Sequence, residues 1–222
     1  MAAAPHHRAQ SAPLPAHLAW LIRPPGVPPA SAGAHPGDAA VGADEQAGED
    51  GGGADVTGAY AWPAGSRLAE ELAQLVDCRG ATVADLGCGL GQLGFSALAL
   101  DAAQVRFADG ARALVELAAR TISCNQLGAR AQASVHQWGD PLPGAPFTLI
   151  LGGDILYRPE CFSGLAATLD ASLAPGGECL LADPRRTLDP EFTTALAHHA
   201  LAWIWERRAA GYTLARVRRA RA

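Results

Sequence analysis

From residue 58 onward, short apolar runs alternate with longer stretches whose apolar positions recur every three or four residues. That alternation predicts strands of a parallel sheet covered by helices. A helix over 65–76 precedes a strand at 81–85, and a helix at 92–100 leads to a strand at 104–108. The next helix, 110–127, carries Leu114, Leu117, Ala118 and Ile122 on one stripe, the pattern of a helix resting on a sheet. Strands follow near 131–136 and at 147–152, then a helix over 160–173 that Pro175-Gly176-Gly177 should stop, then a strand at 178–183. The end of the chain, WIWERRAAGYTLARVRR, reads as two strands joined by a turn at Ala209-Ala210-Gly211. Between Asp183 and those strands the chain reads as compact. The expected architecture is α/β, a doubly wound, mostly parallel seven-stranded sheet with a C-terminal antiparallel hairpin.

Residues 1–57 follow a different pattern, dominated by Ala, Pro, Gly and His, with Pro-Pro at 24–25 and 28–29 and Gly51-Gly52-Gly53 near the end. A segment with so little to bury is expected to be a disordered extension ahead of a domain spanning 58–222. It holds no acidic residue before Asp38, as organelle-targeting peptides do, but its prolines oppose the amphipathic helix such peptides need. Its one apolar island, Leu18-Ala19-Trp20-Leu21-Ile22, could dock on the domain as a short helix.

Composition narrows the class. A chain of 222 residues, 49% hydrophobic and 18% charged, suits one soluble domain. Every basic residue is arginine, and a net charge of -5 argues against a duplex-wide phosphate surface. The basic run Arg216, Arg218, Arg219, Arg221 reads as a solvated strand face, so no nucleic-acid partner is expected. Cys78, Cys88, Cys124, Cys161 and Cys179 form no C-x-x-C pair and no zinc spacing, and their odd number suits a reducing compartment. No apolar stretch is long enough to span a bilayer. The expectation is a cytoplasmic monomer without a metal or a membrane anchor.

The chemistry begins at Asp85-Leu86-Gly87-Cys88-Gly89-Leu90-Gly91, where the first strand should turn into a helix. Glycines permit positive φ and close approach of a ligand, and the helix offers unpaired N–H groups suited to a carboxylate. Asp85 beside the turn could hold an ammonium group, so the arrangement fits a zwitterionic amino acid. Eighteen residues past Gly91, Asp109 ends the second strand, where a carboxylate can face two ribose hydroxyls. Its plainer role is a helix cap before Gly110 and Ala111. Gly89-Leu90-Gly91-Gln92-Leu93-Gly94 also satisfies a dinucleotide fingerprint. That register would carry the strand through Asp85 and bury a carboxylate in the sheet, so D-x-G-x-G-x-G is preferred. It resembles the first motif of the Rossmann-like S-adenosylmethionine-dependent methyltransferases, which implies S-adenosyl-L-methionine as cofactor.

The fourth strand runs into Gly152-Gly153-Asp154-Ile155-Leu156-Tyr157, beside the expected switch in strand order. Gly153 keeps that entrance clear, and Asp154 and Tyr157 face it. The plainer readings make Asp154 a cap of the helix near 160 and Tyr157 a half-buried core aromatic. D-I-L-Y closely resembles the D-x-x-Y motif of the seven-strand protein-lysine methyltransferases. Gly58-Ala59-Tyr60-Ala61-Trp62-Pro63-Ala64-Gly65 resembles their W-P segment, and His136-Gln137-Trp138-Gly139-Asp140 their W-G element, where the indole packs near adenine. Trp62 and Trp138 read equally well as core aromatics. The resemblance extends to Ala182-Asp183-Pro184-Arg185-Arg186 and is greatest to the enzymes that methylate lysines of the electron-transfer flavoprotein β-subunit. It implies catalytic roles for Asp154 and Tyr157, cofactor contacts for Trp62, Asp85, Gly87, Gly89, Gly91, Asp109, Trp138 and Gly153, and a lysine-bearing protein substrate. A small-molecule or ribosomal-protein methyltransferase, or a non-catalytic binding module, remains the alternative.

Overall fold

The computed structural model describes residues 61–185 and 188–220. Expectations for the arm 1–57, for Tyr60, and for Arg186 and Arg221 lie outside the described residues.

Seven strands form one sheet: β1 (Thr82–Leu86), β2 (Gln104–Asp109), β3 (Ala131–Val135), β4 (Phe147–Gly153), β5 (Leu173–Asp183), β6 (Leu201–Arg207) and β7 (Thr213–Arg219). Their order is β3-β2-β1-β4-β5-β7-β6, parallel from β3 to β5, with β7 antiparallel to both β5 and β6. The direction of progression reverses between β1 and β4, so a crevice opens beyond their carboxyl ends. The doubly wound sheet and its closing hairpin are therefore as the sequence predicts.

Helices α1 (Pro63–Leu75), α2 (Gln92–Ala99) and α3 (Arg112–Cys124) cover one face through Leu68, Leu72, Phe95 and Ile122. Helices α4 (Phe162–Ser172) and α5 (Pro190–His198) cover the other through Leu165, Leu169, Phe192 and Leu196. Because β1 and β4 are sandwiched, they are buried at nearly every position rather than at alternating ones. Helix α2 is short and buried almost all round, pressed against β2 with the Phe95 and Phe107 rings 4.6 Å apart. Gly94 makes that approach possible: a Cβ there would lie 2.3 Å from the ring of fully buried Phe107. Gly94→Ala should lower stability by about 1–3 kcal/mol through overpacking, read as a reduced melting temperature. An unchanged melting temperature would mean that Phe107 yields freely.

Four elements differ from the expectation. Helix α3 begins at Arg112 rather than 110, because Asp109 accepts a hydrogen bond from Ala111 N and holds Gly110-Ala111 in a turn. The segment expected to be a helix from 160 opens with a 3-10 turn, Pro159–Cys161, before α4. Strand β5 starts at Leu173, so Pro175-Gly176-Gly177 lies inside it as an irregularity, where the register with β4 shifts between Phe147 and Leu149. A side chain at Gly177 would come within 2.9 Å of Phe147 O.

Helix α5 is the fourth difference, an element absent from the expectation. Its start signals are in the chain all the same: Asp189 accepts from Glu191 N at 2.9 Å, Pro190 occupies the first turn, and Glu191 favours the positive end of the dipole. The C-terminal arginines are mostly engaged. Arg216 and Arg218 both pair with Glu178, and Arg219 with Asp170. Among the described residues, no helix is long and apolar enough to cross a membrane.

Candidate functional site

A cleft of about 1110 Å³ lies along the carboxyl ends of the parallel strands. A second cavity of about 90 Å³, bordered by Thr82, Arg106 and Phe147 at the other end of the sheet, is too small for a nucleoside.

The turn after β1 forms the floor. Gly87, Gly89 and Gly91 have φ of 66°, 49° and 78°, a region costly for residues with a Cβ. Gly87 N and Cys88 N both donate to Ala108 O, at 2.8 and 3.0 Å, which pins the turn against the end of β2. Gly87 and Gly89 border the cleft, whereas Gly91 does not. Gly91 is buried where α2 begins, and a Cβ there would lie 2.8 Å from the Phe95 ring. Its place is one of packing.

Asp109 does two things at once. Its Oδ2 accepts from Gly89 N and its Oδ1 from Ala111 N, both at 2.9 Å, so it ties the glycine turn to the start of α3. Capping and ligand contact are thus compatible, since each carboxylate oxygen keeps acceptor capacity toward the cleft.

Asp85 overturns one step of the sequence argument. Strand β1 does continue through it to Leu86, and the carboxyl is only 2% exposed. The cost is offset by Gly94 N, which donates to Asp85 Oδ2 at 2.8 Å. Burial, opposed by that bond and reinforced by Asp109, lifts the carboxyl to about 8. A buried carboxylate in the strand therefore does not exclude the dinucleotide register, which has to be excluded on other grounds.

Past β2, the chain after β3 supplies His136 and Trp138. His136 N donates to Asp109 O at 2.9 Å, and the imidazole is 7% exposed with Nε2 lacking a partner. Trp138 is half-buried against the α4 face, and Gly164 of α4 leaves room for its backbone, where a Cβ would lie 3.2 Å from Trp138 O.

On the other side of the glycine turn, β4 and α1 meet backbone to backbone. A Cβ at Gly153 would stand 2.5 Å from Gly65 Cα. Directly after it, Asp154 has φ of 56° and is fixed on two sides, with its N donating to Ala182 O at 2.8 Å and its Oδ2 accepting from Gly65 N at 2.6 Å. It caps α1 rather than the helix near 160. Its Oδ1 is buried and without a hydrogen-bond partner. Burial lifts this carboxyl to about 6 despite the α1 N–H groups, with Asp183 adding to the rise. Tyr157 and Trp62 are 63% and 46% exposed, so neither is a core aromatic, and both border the cleft on the Asp154 side.

The wall beyond Asp154 is the turn after β5. Asp183, 2% exposed, holds Arg185 through a 3.0 Å ion pair, and Thr213 Oγ1 donates to Arg185 O at 2.6 Å. Ser66 Oγ makes 3.0 Å hydrogen bonds with both Trp62 O and Gln92 Oε1, linking the start of α1 to the start of α2.

Nine of the ten residues singled out in the sequence therefore border one cleft, all but Gly91. The sequence reading gave no role of their own to Gly65, whose partner is 89 residues away, or to His136, Gly94 and Asp183, which lie within the motifs it quotes but whose places are set by packing across elements.

Residues 45–199 match the model of a family described as lysine methyltransferase. The chain belongs to that family. EEF1A lysine methyltransferase 3 of Mus musculus is 33% identical over 132 residues, which are 58% of this chain and 56% of the mouse protein. Ribosomal protein L11 methyltransferase of Prochlorococcus marinus is 32% identical over 144 residues, 62% of this chain and 46% of that protein. The chain thus spans about half the length of the curated relatives it matches. Among solved structures, the glycopeptide N-methyltransferase MtfA superposes with a TM-score of 0.59 at 16% identity, covering 70% of this chain and 90% of MtfA. The ribosomal protein L11 methylase of Lactobacillus delbrueckii gives 0.51 at 22% identity, covering 71% and 78%. At such identities they establish the Rossmann-like fold. A complex of MtfA with S-adenosylmethionine superposes with a TM-score of 0.57 at 15% identity and covers 69% of this chain and 86% of that one.

Proposed function

We propose that this chain is an S-adenosylmethionine-dependent methyltransferase that transfers the methyl group to a lysine side chain of a protein, with the acceptor amine entering beside Asp154 and Tyr157. What carries the reading is Asp154 Oδ1, a buried acceptor without a partner on a side chain fixed by Gly65 N and bordering the cleft. An unsatisfied buried acceptor costs about 1–3 kcal/mol, and a donor from a ligand offsets it. The atom is screened from solvent in this conformation, on a residue that borders the cleft.

The residues present fit S-adenosylmethionine. Left-handed Gly87 and Gly89 open the turn for the carboxylate of its amino-acid end, with N–H groups at the start of α2 beyond. Asp85, raised to about 8, is a carboxyl that a neighbouring ammonium returns to its ionised form. Asp109 would hold the ribose, and Trp138 would lie toward the base. Trp62 and Gly153 complete the side nearest Asp154. When bound, the cofactor supplies an electrophilic methyl group on a sulfonium.

An ammonium has no lone pair, so the acceptor lysine must lose its proton before it reacts. Trp62 and Tyr157 border the cleft on this side, and desolvation of the acceptor as it enters between them would disfavour the charged amine. Asp154, once ionised, accepts a hydrogen bond from the neutral amine and aims its lone pair into the cleft. No covalent work falls to the protein, and the rate enhancement comes from positioning.

EEF1A lysine methyltransferase 3 and ribosomal protein L11 methyltransferase are both named for protein acceptors, which supports a protein rather than a small molecule as substrate. A lysate treated with the full chain and methyl-labelled cofactor tests this. The expected result is discrete labelled proteins that yield methyl-lysine on hydrolysis. Label confined to small solutes, or to amino acids other than lysine, would overturn it.

A further inference from the structure

Along the rim of the sheet the strands run β4, β1, β2, β3, so the cleft passes from Asp154 to the glycine turn, to Asp109, and then to the residues after β3. A nucleoside whose ribose lies at Asp109 has its base one strand spacing further, about 4.8 Å on. Two polar side chains border the cleft there, His136 and Gln137; Gln137 is exposed and donates its amide to Gly110 O at 3.4 Å, whereas His136 is buried. Its backbone N–H is bonded to Asp109 O at 2.9 Å, so the imidazole stands in a fixed relation to the ribose acid. The residue is 93% shielded from solvent, and Nε2 has no hydrogen-bond partner. The large majority of buried side-chain polar atoms have a hydrogen-bond partner, so an orphaned Nε2 calls for one.

We propose that His136 reads the purine edge of the cofactor, its Nε2 accepting a hydrogen bond from the 6-amino group of the adenine. This rests on the cofactor placement proposed above. Burial holds the imidazole below its ordinary proton affinity, against the pull of Asp140, so the ring is uncharged and has a lone pair to offer. Nε2 is screened in this conformation, and rotation about the soft imidazole torsion turns it toward the cleft that the ring already borders. Trp138, two residues on and half-buried, adds an apolar surface without hydrogen-bond selectivity of its own toward position 6.

The test is calorimetric and needs no acceptor. S-Adenosylhomocysteine and its counterpart lacking the 6-amino group are titrated into the full chain and into His136→Phe and His136→Leu, with ligand-free melting recorded for each. The unmodified chain should bind the 6-amino ligand about five- to tenfold more tightly, and the variants should bind both ligands alike at the weaker affinity. His136→Gln, which restores an acceptor oxygen, should recover part of the preference. Variants that fold and keep the full preference overturn the assignment, as does an unmodified chain with no preference. Should both apolar variants fail to fold, His136→Gln and the unmodified chain still decide it through that preference. Absence of any binding by the unmodified chain would instead refute the cofactor placement itself.

Discussion

Asp154→Asn should keep cofactor affinity and melting temperature near those of the unmodified chain while methyl transfer falls by about 100-fold or more. The reasoning follows from the two oxygens. Oδ2 accepts from Gly65 N at 2.6 Å, and the amide oxygen of asparagine reproduces that bond, so the start of α1 stays joined to the end of β4. Oδ1 is the atom left without a partner, and there asparagine presents an N–H₂ group that donates where the amine also donates. Asp154→Ala breaks both contacts and places alanine at φ of 56°, so it should lose stability as well as activity. The carboxyl lies at about 6 against an ordinary 3.8, raised chiefly by burial. Its folded form holds a proton that the unfolded form has released between about pH 4 and 6, so stability falls as pH rises through that window. Methyl transfer should run the other way, rising through about pH 6 as Oδ1 becomes an acceptor. Rate-against-pH profiles of the two proteins check this, and a profile of equal shape in Asp154→Asn would remove Asp154 from the reaction.

What could be read from the chain was local. The glycine turn, Asp109 and the D-x-x-Y segment each lie within a strand end and its loop, and the parallel order of strands then brings those loops together without further information. Trp62 and Tyr157 could not be told from core aromatics, because exposure is decided by what α1 and the turn after β4 leave uncovered. Asp154 was placed correctly at the switch in strand order, but its partner was not legible, since Gly65 is 89 residues away. The case of Asp85 is the most instructive. A carboxylate inside a two-sided strand looked too costly from the sequence, yet one N–H from Gly94 and a raised pKa accommodate it. Gly94 in turn looked like part of a chance fingerprint, and its closeness to Phe107 gives it the helix-packing place that the third glycine of that fingerprint has. Helix α5 was missed although its cap, proline and acid were all present, because nine residues with two threonines give a weak periodicity.

The second large effect should come from Gly89→Val. Gly89 has φ of 49°, borders the cleft, and donates its N–H to Asp109 Oδ2 at 2.9 Å. A β-branched side chain there is strained by about 1–3 kcal/mol and also stands where the amino-acid end of the cofactor must approach the backbone. Relaxing the strain moves the N–H away from Asp109 and, in the cofactor placement proposed above, shifts the acid from the ribose, so two contacts would be lost with one substitution. Affinity for S-adenosylhomocysteine should fall by about 100-fold or more, since the loss of two polar contacts at about 1.5 kcal/mol each is compounded by steric exclusion. Strain alone can be separated from obstruction. Gly80, in the turn between α1 and β1, has φ of 69° with nothing within 4 Å of an added Cβ and does not border the cleft. Gly80→Val should therefore lower the melting temperature comparably and leave affinity unchanged. Were the two variants to lose affinity equally, the glycine turn would be acting through stability of the domain and not as the floor on which the cofactor rests.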